Sequence, residues 1–414
     1  MNRKKCCGCS ACVTVCPKSC ITMVESSEGF LYPQKDSTSC IECNLCEKVC
    51  PIGIEKKIQE ENHLKVYACI NNTDEIRMNS SSGGVFFLLA EYILDKNGKV
   101  YGAVFDKDWS VCHIGVDNIE ELEKIQGSKY LQSDKKYIFK EVKKDLETGK
   151  KVLFSGTPCE VAGLRNYLGK EYENLYCADV VCHGVPSPKV WQKYLQYIEK
   201  MVKKPCDRES TPSHRSKTDG WSRFSVSIPL GHDTEYLQEH DKDLYMRTFL
   251  KDIILRPSCY ECQCKPSINI SDISLADFWG VENVLPDFYD DKGTSLVLIN
   301  TEKGNKLFRE ICKYLKYQDV SYETALKYIP AICKSAKIPK QREYFFSHFE
   351  QMDIETLMKK VSKDSILLRC KIILRSLMIK MHLYKVWSYI KNKKCRCGCI
   401  CDHSDCEISD FCDS

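Results

Sequence analysis

The stretch that decides the fold of the N-terminus is Cys6-Cys7-Gly8-Cys9-Ser10-Ala11-Cys12-Val13-Thr14-Val15-Cys16-Pro17. It contains the spacing Cys-x2-Cys-x2-Cys-x3-Cys-Pro. The same spacing returns in Cys40-Ile41-Glu42-Cys43-Asn44-Leu45-Cys46-Glu47-Lys48-Val49-Cys50-Pro51. Two copies of one cysteine pattern form an internal repeat, which chance rarely produces. Three closely spaced thiols followed by a Cys-Pro step are typical of a chain that wraps around a 4Fe-4S cubane.

The repeat therefore predicts a bacterial-type ferredoxin module with two 4Fe-4S clusters. In such modules the fourth cysteine of each copy ligates the cluster of the other copy. We expect one cluster on Cys6, Cys9, Cys12 and Cys50, and the other on Cys40, Cys43, Cys46 and Cys16. Structural zinc sites also use Cys-x2-Cys pairs, but zinc takes four ligands and has no use for a compact third cysteine. The neighbouring Cys7 and Cys20 are interpreted as small buried apolar side chains.

Length and composition indicate the number of domains, the kind of partner and the cellular compartment. The chain has 414 residues, which predicts two or three domains, and 43% hydrophobic residues, which are enough for a core. A formal net charge of +4 gives no general basic field for binding nucleic acid. The N-terminus carries no apolar signal segment, so the 28 cysteines are expected to be reduced thiols in the cytoplasm, in an organism that lives without oxygen.

From residue 63 onward, apolar patterns of strand and helix alternate, which predicts a mixed α/β core. The fold class is therefore α+β or α/β, with a ferredoxin module, a mixed α/β domain and a helical C-terminal extension. The expected domains are 1–62, 63–148, 149–320, 321–394 and 395–414. Predicted strands include 66–70, 100–105, 110–116, 152–155, 175–181, 224–228, 273–276 and 295–300. Predicted helices begin at Val85 and Thr157 and include 119–125, 136–146, 186–202 and 306–315.

The C-terminal segments are basic and rich in cysteine. Basic residues interrupt the apolar segment 366–394 too often for a membrane span. A peripheral membrane contact is one interpretation of this segment, and a helix that covers the core or a partner is the favoured one. The tail 395–414 alternates cysteines and is expected to be disordered and able to bind metal, with a fourth cluster as the less favoured alternative.

Three further cysteine sites occur where strands pass into loops. Thr157 can cap a helix that begins at Pro158, which places Cys159 at the positive helix end where a thiolate is stabilised. Cys182 follows a predicted strand, and Cys259 and Cys262 form a Cys-x2-Cys pair. Together these four thiols predict a third 4Fe-4S cluster. The alternatives are a catalytic or redox-sensing Cys159, and a half zinc site at the Cys-x2-Cys pair.

Several phrases in the middle of the chain also occur together in one known family. They are Ser82-Gly83-Gly84, Gly127-Ser128-Lys129-Tyr130-Leu131-Gln132-Ser133, Ser155-Gly156-Thr157-Pro158-Cys159, the stretch from Asp179 to Pro188, Leu255-Arg256-Pro257-Ser258-Cys259 with Cys262, and Asp277-Phe278-Trp279-Gly280. In this order they resemble the coenzyme F(420) hydrogenase/dehydrogenase beta-subunit family. The resemblance covers about residues 65 to 320.

The resemblance implies an FAD in the central domain, a 4Fe-4S cluster beside it, and electron exchange with a partner protein or a small-molecule acceptor. The implied flavin contacts are Ser82, Gly83, Gly84, Gly127, Ser128, Lys129, Tyr130, Gln132 and Thr157. Glycines allow backbone N–H groups to approach a cofactor, and a positive Lys129 would stabilise a reduced flavin. Without the family, Ser82-Gly83-Gly84 would be an ordinary helix cap and Lys129 a solvated lysine. The chain has no Gly-x-Gly-x-x-Gly fingerprint, so a Rossmann mode of binding is not expected.

The predicted function is that of an iron–sulfur flavoprotein oxidoreductase. It would pass electrons between ferredoxin-type clusters and FAD, with hydride transfer to or from an organic acceptor that is either coenzyme F(420)-like or another compound. The alternative is a non-catalytic electron-transfer subunit of a larger redox complex. A third interpretation, a structural scaffold loaded with metal, predicts zinc and no flavin.

Overall fold

A computed structural model describes residues 3–52, 65–266 and 270–363 of the chain. The segment 53–64, the segment 366–394 and the cysteine tail 395–414 lie outside the described residues. The strands are β1 Ile21–Glu25, β2 Leu31–Lys35, β3 Lys65–Asn71, β4 Lys99–Phe105, β5 Val111–Val116, β6 Ser133–Asp134, β7 Val152–Gly156, β8 Leu175–Val180, β9 Ser213–Ser216, β10 Ser225–Leu230, β11 Thr234–Glu239, β12 Ile273–Asp277, β13 Ser295–Ile299 and β14 Leu315–Asp319.

The described residues also form fourteen α-helices, of which the first precedes β1. They are α1 Ala11–Val15, α2 Leu45–Lys48, α3 Asp74–Asn79, α4 Val85–Leu94, α5 Leu122–Ile125, α6 Ile138–Glu147, α7 Pro158–Leu168, α8 Pro188–Val202, α9 Leu244–Leu250, α10 Val281–Val284, α11 Glu302–Ile311, α12 Tyr322–Tyr328, α13 Gln341–His348 and α14 Ile354–Val361. Within these ranges no helix combines the length and the apolar character that crossing a bilayer requires.

The two cysteine repeats have the same backbone shape. Gly8 and Glu42, at equivalent positions, both have positive φ angles of 73° and 53°. Two residues later, Ser10 and Asn44 have φ angles of 65° and 58° and begin the short helices α1 and α2. Such turns aim successive backbone N–H groups toward one space, as cluster-binding loops do. The antiparallel hairpin β1–β2 connects the two repeats.

A mixed nine-stranded sheet forms the centre of the rest of the chain. Its strand order is β14-β3-β13-β12-β8-β7-β4-β5-β6. Strands β12, β8, β7 and β4 are mutually parallel, and β3 has the same direction because it and β12 both pair antiparallel with β13. The carboxyl ends of these five strands therefore lie at one edge of the sheet, where ligands of open α/β sheets usually bind.

Helices cover both faces of this sheet, as strand alternation requires. In β7, Leu153 packs with α4 and α11 on one face. Its neighbours Val152 and Phe154 pack with α6 and α7 on the other face, in a core that also contains Cys9 and Ala11 of the ferredoxin module. The ferredoxin module is therefore part of the core under α7.

A second sheet, of order β11-β10-β9, packs with α8, α9, α13 and α14 around buried aromatic residues, among them Trp191 and Tyr245. The helices α12, α13 and α14 confirm that the part of the C-terminal extension within the described residues is helical. They cover the second sheet and the adjoining end of the large one.

Candidate functional site

Loops that carry the predicted site residues meet at the carboxyl edge of the large sheet. Asn71, the last residue of β3, bonds through its backbone N–H to the Gly83 carbonyl oxygen at 2.8 Å. Strand β7 leads into Thr157, β8 leads into Cys182, and β12 ends at Asp277. The sequence predicted Gly83, Thr157 and Cys182 one by one, and the sheet topology places them along one edge.

Four predicted cysteines line one cavity beside this edge. They are Cys159, Cys182, Cys259 and Cys262, and the same cavity is lined by Cys7 and Cys264. Burial and the thiol of Cys259 raise the pKa of Cys182 well above its usual range. These thiols surround a shared space and do not converge on one point: within the described ranges, no three His, Cys, Asp or Glu side chains are grouped tightly enough for a single metal ion. Such a ring of thiols fits a multi-iron cubane, which distributes its ligands over four irons.

The start of α7 positions Cys159. Thr157 and Glu160 form a capping box, in which the Thr157 N–H donates to Glu160 Oε2 at 2.8 Å. Glu160 is buried and its other oxygen accepts from Lys135 Nζ at 2.6 Å. The predicted thiolate-stabilising effect of the helix end does not prevail: a hydrogen bond with Cys7, together with burial, raises the pKa of Cys159. Deprotonation of this thiol therefore depends on metal or another cation in the cavity.

The ferredoxin cysteines belong to two predicted ligand sets that lie side by side. In the first, burial and the thiols of Cys6 and Cys50 raise the pKa of Cys12 to about 12. In the second, Cys16 packs with Cys40 and Cys46 in a small apolar cluster that also contains Cys12 of the first set, and Cys43 is exposed. The two predicted ligand sets are therefore in contact, and Cys9 of the first set lies toward the central domain, in the core under α7.

Cys20 is buried and Cys7 is half-buried, each in an apolar cluster, as expected, and both also contact other cysteine thiols. The Cys7 thiol hydrogen-bonds with those of Cys159 and Cys9. It therefore connects a predicted ferredoxin ligand to the central cavity. The Cys20 Sγ lies 3.4 Å from Cys16 Sγ, within the second ferredoxin group.

Some of the predicted flavin residues are joined by hydrogen bonds between neighbouring loops. Ser82 Oγ donates to the Thr294 carbonyl at 2.9 Å, and the Ser128 N–H donates to Ser81 Oγ at 2.7 Å. Arg215 joins these loops, since its guanidinium donates to the Ser81 carbonyl at 3.1 Å and to the Tyr130 hydroxyl at 3.2 Å.

Gly83 and Gly127 have different roles. A Cβ on Gly83 would lie 2.4 Å from the Cys69 carbonyl oxygen and 2.7 Å from the Ser295 nitrogen, so this glycine is needed for packing between strand ends. Gly127 has a φ angle of 83° and its Cβ position is open, with Ser81 Oγ 4.0 Å away. The Gly127 backbone is therefore the one that a ligand can approach.

Two predicted flavin residues lie in other networks. The Gln132 side chain accepts from Arg256 at 2.7 Å, at the contact with the ferredoxin module. The Thr157 hydroxyl lies 3.2 Å from Cys159 Sγ, beside the cysteine cavity. They border the cysteines, whereas Ser128 and Tyr130 are joined through Ser81 and Arg215.

Near the Gly127 loop, three basic side chains have more N–H groups than the described residues around them have acceptors. Lys129 is half-buried, its Nζ donates to the Gln126 and Gly127 carbonyls, and burial lowers its pKa to about 7. His214 is fully buried and accepts from the Tyr130 N–H through Nδ1, so its proton is on Nε2, which has no partner within the described residues. Arg215 Nε likewise has none there. Buried donors without acceptors suit a ligand that brings several oxygen or nitrogen acceptors.

The sequence did not indicate His214, Arg215, Lys217 or Asp277 as site residues. Arg215 forms a bidentate ion pair with Asp277, at 2.9 and 3.2 Å, and Lys217 Nζ donates to the Ser82 carbonyl at 2.7 Å. The only sequence signal was the basic run from His214 to Lys217 on a short polar strand.

Comparison with known proteins assigns two segments of the chain to families. Residues 149–323 match the family model for the C-terminal part of the beta subunit of coenzyme F(420) hydrogenase/dehydrogenase, and residues 5–54 match a 4Fe-4S dicluster domain. Among solved structures, a chain of the F(420)-reducing NiFe hydrogenase complex from Methanosarcina barkeri aligns with a TM-score of 0.45 and 17% identity, covering 65% of this chain and 88% of that one. No curated protein matches. Residues 149–323 thus match the C-terminal part of the coenzyme F(420) hydrogenase/dehydrogenase beta-subunit family, residues 5–54 form a 4Fe-4S dicluster domain, and the chain is an iron–sulfur electron-transfer protein.

Proposed function

We propose that this protein is an iron–sulfur flavoprotein oxidoreductase. It exchanges electrons between its ferredoxin-type clusters and FAD and transfers hydride to or from an organic acceptor, which is coenzyme F(420)-like or another compound. The observation that carries the proposal is the continuous row of thiols from the ferredoxin module to the carboxyl edge of the sheet. Cys7 contacts both Cys9 and Cys159, and Cys159 begins the helix that follows Thr157 at that edge.

A third 4Fe-4S cluster would be held by Cys159, Cys182, Cys259 and Cys262. These thiols line one cavity and come from three separate loops. Buried thiols with raised pKa values are poor ligands until a cation favours their thiolate form, so metal loading and the completion of this cavity are coupled. Clusters exchange single electrons, and the cavity lies between the ferredoxin cysteines and the sheet edge.

FAD fits the surplus of donors at the Gly127 loop. The residues proposed to hold it are those joined through Ser81 and Arg215, with Lys129 and His214 supplying hydrogen bonds to acceptor atoms. When bound, the flavin would convert one-electron exchange into two-electron hydride chemistry. Arg215 fixes the loop positions by bridging Ser81, Tyr130 and Asp277. The Lys129 ammonium, which has only carbonyl acceptors among the described residues, favours a negative charge beside it.

The partner protein in this proposal is an electron carrier that docks over the second ferredoxin group. Cys43 is exposed there, and the side chain of the neighbouring Ile41 is 56% exposed. An exposed apolar residue beside a cluster ligand gives a short electron path and a contact that excludes water. This face lies on the ferredoxin module.

The test uses the full chain reconstituted anaerobically with iron, sulfide and FAD. After removal of unbound cofactor, the flavin is released, identified and counted against iron. The proposal requires about one FAD and about twelve irons per chain, and flavin that is reduced when a reduced ferredoxin is added. Full iron content without bound flavin would instead identify the chain as a non-catalytic electron-transfer subunit, and zinc without iron would identify a structural scaffold.

A further inference from the structure

Arg256 is a fully buried arginine whose guanidinium enters the ferredoxin module. Its Nε donates to the Cys6 carbonyl oxygen at 2.7 Å, and its Nη2 donates to the Leu31 carbonyl at 2.9 Å. The same Nη2 contacts Cys6 Sγ at 3.7 Å, which is an N–H···S contact. The guanidinium also lies over the Tyr32 ring, 4.2 Å from its centroid. One side chain of the central domain therefore touches the backbone, the thiol and the aromatic wall around a predicted cluster ligand.

The charge of Arg256 is not neutralised by a carboxylate in the described part of the chain. Its acceptors there are backbone carbonyls, the Gln132 side-chain oxygen and the Cys6 sulfur. Removing a guanidinium from water without an anion is costly. A cluster with thiolate ligands is the anion that would offset this cost at the Cys6 position.

The two predicted ferredoxin ligand sets differ in position, and we call them the inner and the outer group. The inner group contains Cys6, Cys9, Cys12 and Cys50. Cys9 packs so closely on α7 that a Cβ on Gly163 would lie 2.8 Å from its sulfur. The outer group contains the exposed Cys43. Arg256 contacts only the inner group.

We propose that Arg256 is a positioning residue that raises the reduction potential of the inner ferredoxin cluster relative to the outer one. Reduction adds negative charge to a cluster, and a desolvated cation at its ligand stabilises the reduced form. Hydrogen bonds to ligand sulfurs act in the same direction. Electrons on the ferredoxin module therefore collect at the cluster that borders the central domain. The inference requires Cys6 to be a ligand and does not depend on the flavin.

Arg342 provides a matched control at the same interface. Its guanidinium forms a bidentate ion pair with Glu28, with Nη1 at 2.9 Å, and therefore also ties the ferredoxin module to the rest of the chain. However, Glu28 neutralises this charge, and the hydrogen-bond acceptors of Arg342 in the described residues include no cluster cysteine. Arg342→Met loosens docking without changing the charge at Cys6.

The experiment is an anaerobic redox titration of the full, reconstituted chain, followed by electron paramagnetic resonance. Parent, Arg256→Met, Arg256→Lys and Arg342→Met are compared, and the outer cluster is assigned by its loss in Cys43→Ser. In Arg256→Met we expect the ratio of reduced inner cluster to reduced outer cluster to fall at least tenfold. This change equals about 59 mV for a one-electron couple. Arg256→Lys retains the charge and should change this ratio clearly less than Arg256→Met does. Arg342→Met should leave the ratio unchanged.

An unchanged electron partition in Arg256→Met would overturn the proposal. An equal shift in Arg342→Met would also overturn it, because docking and not charge would then set the potential. Loss of the inner cluster from both Arg256 variants would show a purely structural requirement and contradict the tuning role. Flavin is counted in the same samples, so a missing flavin would refute the proposed function while leaving this comparison valid.

Discussion

Lys129 carries the clearest prediction for a single residue. Its Nζ has only backbone carbonyls as acceptors among the described residues, at 2.7 and 3.3 Å. If it lies beside the flavin, Lys129→Met should lower the flavin potential, and a loss of about 1.4 kcal/mol of reduced-state stabilisation corresponds to about 30 mV for a two-electron couple. The measurement is an anaerobic titration of the bound flavin. Lys124→Met is the control, because Lys124 is exposed and paired with Glu121. An equal potential in parent and Lys129→Met would place Lys129 away from the flavin ring.

The same lysine predicts a pH dependence of flavin binding. Burial lowers the Lys129 pKa from 10.5 to about 7, so the flavin-free protein loses this charge as the pH rises through that value. A ligand that favours the charged lysine binds best below pH about 7, and its affinity falls above it by up to about tenfold per pH unit. Lys217 also has a pKa of about 7 and touches the Ser82 carbonyl, so it is a second titrating group nearby.

Titration of FAD into flavin-free protein between about pH 6 and pH 9 measures this effect. The decline in affinity should become shallower in Lys129→Met, and the remaining slope belongs to Lys217 and to the ligand itself. A variant with the same slope as the parent would show that Lys129 does not face the cofactor.

Residue-level chemistry was only partly predictable from the sequence. The four central cysteines were found because each follows a strand or forms a Cys-x2-Cys pair, and they do line one cavity. His214 and Arg215 were missed because they lie on a short polar strand without apolar alternation. Arg215 is buried there through its ion pair with Asp277, a partner 62 residues away that no local pattern reveals.

At the scale of single elements, the buried pair Lys135–Glu160 stabilises the start of α7. Burial alone raises the Glu160 pKa, but Lys135 and His113 reverse this and lower it from 4.5 to about 2. Lys135→Met leaves a buried charge uncompensated and should cost about 3–5 kcal/mol. Lys143→Met, which removes an exposed pair with Glu147, should cost less than about 0.5 kcal/mol.

Unfolding in urea, followed by tryptophan fluorescence, measures this difference as a shift in midpoint. The Glu160 contribution should be complete above pH about 4.5 and should be lost as the pH falls toward about 2, because the folded state lowers its pKa. Adding Glu160→Gln to Lys135→Met should restore part of the loss. Equal midpoints for Lys135→Met and Lys143→Met would argue against a role of the pair in holding α7.

Hydrophobic periodicity predicted most strands and helices of the central sheet. It did not predict the ends of these elements or the polar edge strand. The helix predicted at 306–315 is α11, Glu302–Ile311, capped by Thr301, whose hydroxyl accepts from the Gly304 N–H. Gly304 lies within this helix, where a larger residue would not fit, because a Cβ there would lie 2.2 Å from the Asp272 carbonyl oxygen. The edge strand β14 is mostly exposed and polar, so hydrophobic alternation could not reveal it.

At the scale of the whole molecule, the docking of the ferredoxin module could not be predicted from the sequence. The Arg342–Glu28 pair joins positions 314 residues apart, and Arg256 reaches Cys6 across 250 residues. Local patterns do not contain such pairings. The two domains could each be recognised from their motifs, but that Cys7 connects them required the fold.

The proposed third cluster predicts a specific loss of iron. The double variant Cys259→Ala and Cys262→Ala should bind about eight irons where the parent binds about twelve, because two of four ligands of one cubane are removed. Cys312→Ala is the control, since Cys312 is a half-buried thiol outside the cavity and should leave the iron content unchanged. Iron and sulfide are counted after anaerobic reconstitution. Twelve irons in the double variant would show that these cysteines bind no cluster.

If electrons reach the bound flavin through the cysteine cavity, the rate of flavin reduction must depend on the cavity cysteines. Rapid mixing measures this rate. Oxidised parent and the Cys259→Ala, Cys262→Ala double variant, each loaded with FAD, are mixed anaerobically with reduced ferredoxin, and flavin bleaching is followed over time. We predict that the ferredoxin clusters are reduced equally fast in both proteins and that flavin reduction is at least about tenfold slower in the double variant, at unchanged flavin content. Equal rates of flavin reduction in the two proteins, or a parent protein that binds no flavin, would contradict the account.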